Sequence, residues 1–183
     1  MEKKRKYTSD EFLAATELEG RYELVSGELY DMSPSPNYKH QLISSGLHGR
    51  IWEYVRKNSG ECIVLAAPSD VKLDDKNTVQ PDVFVVCDRD KFDEHGCVGA
   101  PDWVIEILSP GNSNHDTVVK LGLYMKTGVR EYWIVDPMSE RVIVHTFEKA
   151  NTTGIYTFED DIPVWIYKDN EHPLSIKIKD VLQ

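Results

Sequence analysis

Two short apolar runs, each interrupted by a single carboxylate, restrict this chain more than any other feature. One runs from Val79 to Val86 and carries Asp82 just behind Pro81; the other runs from Trp103 to Leu108 and carries Glu106. Val83 to Val86 follow Asp82 directly and Val104, Ile105, Ile107 and Leu108 bracket Glu106, so both acids sit in runs that read as strands covered on both sides. A carboxylate buried alone is costly. It persists when paired, hydrogen-bonded or bound to a metal, so two of them in neighbouring strands point to one shared cation. A second Pro-Asp pair, Pro101-Asp102, competes for the role. Asp102 and Glu106 share one strand, where four residues separate them by roughly 13 Å, whereas neighbouring strands lie only about 4.8 Å apart. Oxygens on one Mg2+ sit about 2.1 Å from the ion. Asp82 and Glu106 are therefore the candidate metal ligands, provided their strands are neighbours, and Asp102 reads as a strand-opening turn residue.

After Glu106, Ser109-Pro110-Gly111-Asn112-Ser113 ends the strand and offers a helix cap, and a helix follows to about Lys126 before Gly128 stops it. Asp116, Lys120 and Tyr124 form one polar stripe along it, against an apolar stripe of Val118, Leu121 and Met125. By spacing alone the polar stripe reads first as a solvated face, with an Asp–Lys pair worth a few tenths of a kcal/mol; the alternative aims Lys120 at the carboxylates.

The remaining pattern predicts one domain over residues 1–183, of α/β class, with a central mixed sheet flanked by helices. Thr8 to Glu11 caps a short helix to about Glu17, and Tyr22–Val25 and Glu28–Met32 form a hairpin around Ser26-Gly27, with Glu23 in its first arm. A helix over Tyr38–Asn58 buries Ile43, Leu47, Ile51 and Val55, with His40 near its start. Cys62–Ala67 reads as a first central strand with a hairpin partner at Asp70–Leu73, and Asp88–Gly99 as a charged loop. Later strands are expected at Glu131–Asp136, Arg141–Phe147, Ile155–Phe158 and Val164–Tyr167. The alternating Leu174-Ser-Ile-Lys-Ile suits an edge or interface strand.

No apolar run approaches the ~20 residues of a membrane span, and three cysteines without zinc-like spacing read as incidental thiols in a reducing compartment, so a cytoplasmic location is expected. A net charge of −10 counts against a general nucleic-acid binder. Locally, however, residues 38–57 carry four basic residues against one acid and residues 112–130 three against one.

Residues 79–137 taken together, with Pro81-Asp82, Pro101-Asp102-Trp103, Glu106, Asp116, Lys120, Tyr124, Gly128 and Glu131 to Pro137, resemble the Uma-type (Uma-two) restriction endonuclease family of the PD-(D/E)XK nuclease superfamily. The likeness extends to Tyr22–Leu29 and to His40-Gln41. It implies a restriction-endonuclease-like core and hydrolysis of DNA phosphodiester bonds dependent on Mg2+ (or Mn2+). Asp82 and Glu106 would be metal ligands and catalytic residues, with Lys120 as the third catalytic residue. Glu23, His40, Asp116 and Tyr124 become possible accessory residues. The superfamily pattern places a lysine where this chain has Leu108, and the resemblance implies that the lysine has moved to Lys120. Lys120→Ala is then expected to abolish cleavage while leaving metal binding and thermal stability intact. A homodimer is expected, because two-fold symmetry suits cutting both strands. The alternatives from other classes are a non-catalytic DNA-binding or adaptor protein on the nuclease fold and a metal-dependent hydrolase of another substrate.

Overall fold

The computed structural model describes residues 5–32, 35–58, 60–109, 115–148 and 151–182, with backbone only at 115–117. In chain order the elements are α1 (Ser9–Leu13), β1 (Tyr22–Val25), β2 (Glu28–Asp31), α2 (Tyr38–Lys57), β3 (Ile63–Ala66), β4 (Asp70–Asp74), β5 (Asn77–Val79) and β6 (Val83–Val86). They continue with β7 (Gly96–Val98), β8 (Trp103–Ile107), α3 (His115–Thr127), β9 (Glu131–Asp136), β10 (Arg141–Thr146), β11 (Thr152–Thr157), β12 (Ile162–Pro163), β13 (Ser175–Ile176) and α4 (Ile178–Val181). The α/β class and the mixed sheet flanked by helices hold. Most of the helix cap expected in Ser109–Ser113 lies outside the described residues.

A six-stranded sheet, in the order β11-β10-β9-β8-β6-β3, forms the centre. Strands β8 and β9 run parallel, joined through α3, and β6 lies antiparallel to β8. One face packs on the inner stripe of α2, where Ile43, Leu47 and Ile51 meet Val83, Val85, Trp103, Ile105 and Trp133. Full burial of each aliphatic side chain contributes about 1.5–3 kcal/mol. The other face, carrying Phe84, Val86, Val104 and Ile134, is covered by Tyr124 of α3 and by Val25, Val71 and Val79 of a second sheet. That sheet has the order β2-β1-β5-β4-β7. Cover on both faces is why β6 is buried throughout.

Local chemistry set several boundaries as expected. Ser26 and Gly27 both take positive φ, 53° and 79°, the two-residue turn that matches the twist of a hairpin. Thr8 and Glu11 form a reciprocal capping box, although α1 ends at Leu13 rather than Glu17. At Gly46 an added Cβ would stand 2.5 Å from the Val181 carbonyl oxygen, so this glycine lets α4 lie directly on α2.

Other expectations needed correction. β3 is an edge strand, and β4 pairs with β5 in the second sheet instead of folding back on β3. The loop from Asp88 contains β7, which lies parallel to β4. Val164–Tyr167 is a 3-10 turn at Trp165–Tyr167. Of the two readings of the alternating C-terminal segment, the half-exposed edge strand holds: Ser175–Ile176 pairs with β12 and turns Leu174, Ile176 and Ile178 into the chain's own core, so the apolar face is not left for a partner. The cysteines are not all incidental thiols: Cys62 and Cys87 form a disulfide, while Cys97 is free and buried. The antiparallel register of β3 and β6, Ile63 opposite Val86, carries the two cysteines against each other. The cysteines therefore no longer argue for a reducing compartment.

Asp102 behaves as a turn residue. It accepts hydrogen bonds from the Cys87 amide at 2.7 Å and from Arg130 at 3.0 Å. Nearby, Glu131 is fully buried and accepts from the Trp133 indole at 2.7 Å and the Ile166 amide at 3.0 Å. Burial pushes its carboxyl up to about 7, against the opposing pull of those bonds.

Two predictions follow from this packing. Gly46→Ala should cost about 1–3 kcal/mol, as overpacking of a close contact does, read as a lower urea midpoint. A carboxyl whose proton is held more tightly when folded gives stability that is full below its unfolded value, near 4.5, and lost as pH rises through about 7. The urea midpoint should therefore fall across this range. Glu131→Gln should flatten that fall, leaving the share contributed by Glu106, whose folded value is still higher.

Candidate active site

The site begins with a register. Val83 of β6 stands opposite Ile105 of β8, which carries Asp82, one residue before β6, opposite Glu106. The neighbouring strands required by the sequence reading are present. Both acids project to the face that packs on α3 and the second sheet, the face on which Leu108 also packs.

Each carboxylate is held through one oxygen. Asp82 Oδ2 accepts the Ile107 amide at 2.8 Å and lies 3.1 Å from His40 Nε2. Glu106 Oε1 accepts the Tyr124 hydroxyl at 2.6 Å and the Lys120 ammonium at 3.0 Å. Among the described residues no hydrogen bond reaches Asp82 Oδ1 or Glu106 Oε2. The two side chains retain 17% and 12% exposure. One free oxygen on each of two opposed carboxylates fits a hard cation. No cluster of three or more His, Cys, Asp or Glu that could hold a metal occurs among the described residues.

Lys120 is 4% exposed and lies between two acids. Its Nζ is 2.9 Å from Glu23 Oε2 and 3.0 Å from Glu106 Oε1. Glu23, from the first hairpin strand, is held in turn by the Gln80 amide at 2.9 Å. The stripe taken first as solvated is the one that faces inward: Lys120 and Tyr124 are buried, whereas Val118 and Met125 of the supposed apolar stripe are exposed. The acids beneath the helix reverse its orientation, since an ammonium and a phenol can satisfy them and aliphatic groups cannot. Burial pushes the Glu106 carboxyl up to about 8; Asp82 and Glu23 add to the rise, while Lys120 and the Tyr124 hydroxyl oppose it. Burial also holds the Tyr124 hydroxyl well above its ordinary value, reinforced by the charge of Glu106.

The structure thus brings Asp82, Glu106, Lys120, Glu23, His40 and Tyr124 together. The side chain of Asp116 lies outside the described residues. Two contributors were missed. The amide of Ile107 orients Asp82, and Gln80 anchors Glu23 through its amide and ties Arg21 to Asp70 through its side chain. Only the position of Gln80 beside Pro81-Asp82 hinted at this. Of the three basic residues counted around α3, Lys120 is buried, Lys126 is exposed, and Arg130 pairs with Asp102 and Glu148 at the other end of β8.

A family model described as "Putative restriction endonuclease", Uma2, matches residues 9–164. The chain belongs to the Uma2 family. A solved structure from Anabaena variabilis, titled a putative nuclease belonging to DUF820, has the same fold. It is 27% identical, with 96% of this chain and 97% of that one aligned and a TM-score of 0.77. No curated protein matches the chain. Family and fold support a nuclease of the restriction-endonuclease type.

The expectation that Lys120→Ala would leave stability intact is revised by this geometry. Removing the ammonium leaves Glu23 and Glu106 buried without their counter-charge, which typically costs 3–5 kcal/mol. The melting temperature of Lys120→Ala should fall markedly, and Lys120→Ala with Glu23→Gln should recover part of the loss.

Proposed function

We propose that the chain is a Mg2+-dependent (or Mn2+-dependent) endonuclease that hydrolyses phosphodiester bonds in DNA. The observation that carries this reading is the pair of opposed carboxylates, each with one free oxygen, beside a buried ammonium. Asp82 and Glu106 would hold the cation, which when bound supplies Lewis-acid polarisation of the phosphate and a more acidic water. His40 and the Ile107 amide keep Asp82 in one orientation; Tyr124 and Lys120 do the same for Glu106. Such positioning matters because a binding group displaced by an ångström loses much of its effect. Lys120, linked to Glu23 as well, places positive charge where negative charge gathers on the phosphate in the transition state, or where the attacking water must be oriented. A homodimer would offer two such centres to the two strands of a duplex. Acting on DNA inside the cell, it would be cytoplasmic; no helix among the described residues is long and apolar enough to cross a membrane.

One observation favours a second reading, a metal-dependent hydrolase of a different substrate. The net charge is −10 and the nearby cation Lys120 is buried, so few basic groups remain to meet a long polyanion.

The test uses the whole chain with Mg2+ or Mn2+, plasmid and single-stranded DNA, and a chelator control. Asp82→Asn should weaken Mn2+ binding measured by calorimetry at least tenfold, the loss typical when a metal site is damaged, whereas Asp102→Asn should leave it unchanged. Lys120→Ala should abolish cleavage at a temperature where circular dichroism shows the variant folded. Metal binding with no cleavage of either DNA would favour the second reading; no metal binding at all would remove both.

A further inference from the structure

Helix α2 carries two lengthwise stripes, and the fold uses one. Its inner stripe, His40, Ile43, Leu47, Ile51 and Val55, is buried against the central sheet. The opposite side, Tyr38, Leu42, Ser45, Gly49, Trp52 and Arg56, is exposed throughout. Three of these six are large apolar side chains, with Tyr38 84%, Leu42 42% and Trp52 46% exposed. Their spacing alternates four, three, four, three, four, the 3.5-residue seam of a helix that packs lengthwise on another helix. Among the described residues nothing calls for glycine at position 49, since an added Cβ there would meet none of their atoms within 4 Å. Glycine inside a helix costs about 1 kcal/mol relative to alanine.

The order of residues along this seam is self-complementary. Turned end for end about a point between Ser45 and Gly49, the helix sets Ser45 against Gly49, Leu42 against Trp52 and Tyr38 against Arg56. Beside the seam, Lys39 comes to Glu53. Small residues meet at the crossing and allow the backbones to approach. Apolar groups meet on either side, a guanidinium meets an aromatic ring at each end, and opposite charges flank the pair. A two-fold interface requires this reciprocity, because each residue that contacts a second must be contacted by it in return. We infer that the outer face of α2 is a homodimer interface, occupied by α2 of a second copy of this chain running antiparallel.

The contacts these residues make within one chain are few. The Arg56 guanidinium lies 4.7 Å from the Trp52 ring centre and Arg50 lies 3.7 Å from Glu53, both exposed contacts of a weak kind, while Lys39 donates to the Pro137 carbonyl at 2.9 Å in a part-buried contact. With 20 residues, α2 is about 30 Å long. An antiparallel pair therefore places the two His40-bearing ends, and with them the two candidate sites, at opposite ends of the shared helix layer. The inference does not rest on the nuclease reading, and its test reads association and not cleavage.

Sedimentation equilibrium of the full chain at tens of micromolar should give the mass of a dimer. Leu42→Glu with Trp52→Glu should give a monomer with unchanged circular dichroism and melting temperature, since both side chains are exposed. Lys39→Glu and Glu53→Lys should each weaken association several-fold, and the two together should restore it. A wild-type monomer at these concentrations would overturn the proposal. So would a dimer that survives Leu42→Glu with Trp52→Glu, or a monomer whose outer α2 face is protected from hydrogen exchange only when DNA is added.

Discussion

The ammonium of Lys120 is the contact on which the meeting of three layers depends. Glu23 comes from the second sheet, Glu106 from the central sheet and Lys120 from the helix that covers both, and the three charges converge within 3.0 Å contacts. Two carboxylates in an apolar sandwich would repel each other and lose their hydration. One cation between them offsets both costs and fastens the sheets to the helix. This also explains why an aliphatic residue is tolerated at Leu108. That side chain closes the apolar core on the same face, while the helix supplies the charge from above.

The arrangement trades stability for a shaped electrostatic field. Glu106 sits where burial raises its carboxyl to about 8 even with Lys120 and Tyr124 beside it. Each of the paired acids has one oxygen held by rigid donors and the other uncommitted. Backbone and side-chain donors have thereby fixed the direction in which the pair presents its charge. Buried ionisable groups gathered inside an otherwise well-packed molecule mark a candidate functional site.

Around this centre the two faces of α2 divide the work. The inner face buries a continuous aliphatic stripe against the sheet, and its first turn brings His40 to Asp82. The outer face retains apolar surface that the fold does not need. At the C-terminus the opposite holds: the alternating segment near Ile176 resembled an interface strand, but α4 and the short β12–β13 ribbon use its apolar residues to close the core. Alternation states that one side will be covered and is silent about what covers it.

Much of the fold was legible because periodicity and turn chemistry are local. The stripe at Ile43, Leu47, Ile51 and Val55, the Ser26-Gly27 hairpin and the continuous apolar character of β6 and β8 all follow from spacing within a few residues. What escaped depends on contacts distant in sequence. Lys120 and Glu23 are 97 residues apart, the Cys62–Cys87 bridge exists only through the β3–β6 register, and β4 left β3 for another sheet. The amphipathic pattern of α3 even pointed the wrong way, because hydropathy ranks lysine as a surface residue unless the partner beneath it is known. By itself, then, the sequence determined the buried stripe of α2, the covered strands β6 and β8, and that two carboxylates, Asp82 and Glu106, are candidates to share one cation. Only the tertiary structure decided that Lys120 lies between Glu23 and Glu106 and which way the helix carrying it faces, because the energy of a buried charge depends on its neighbours in space and not on its neighbours along the chain.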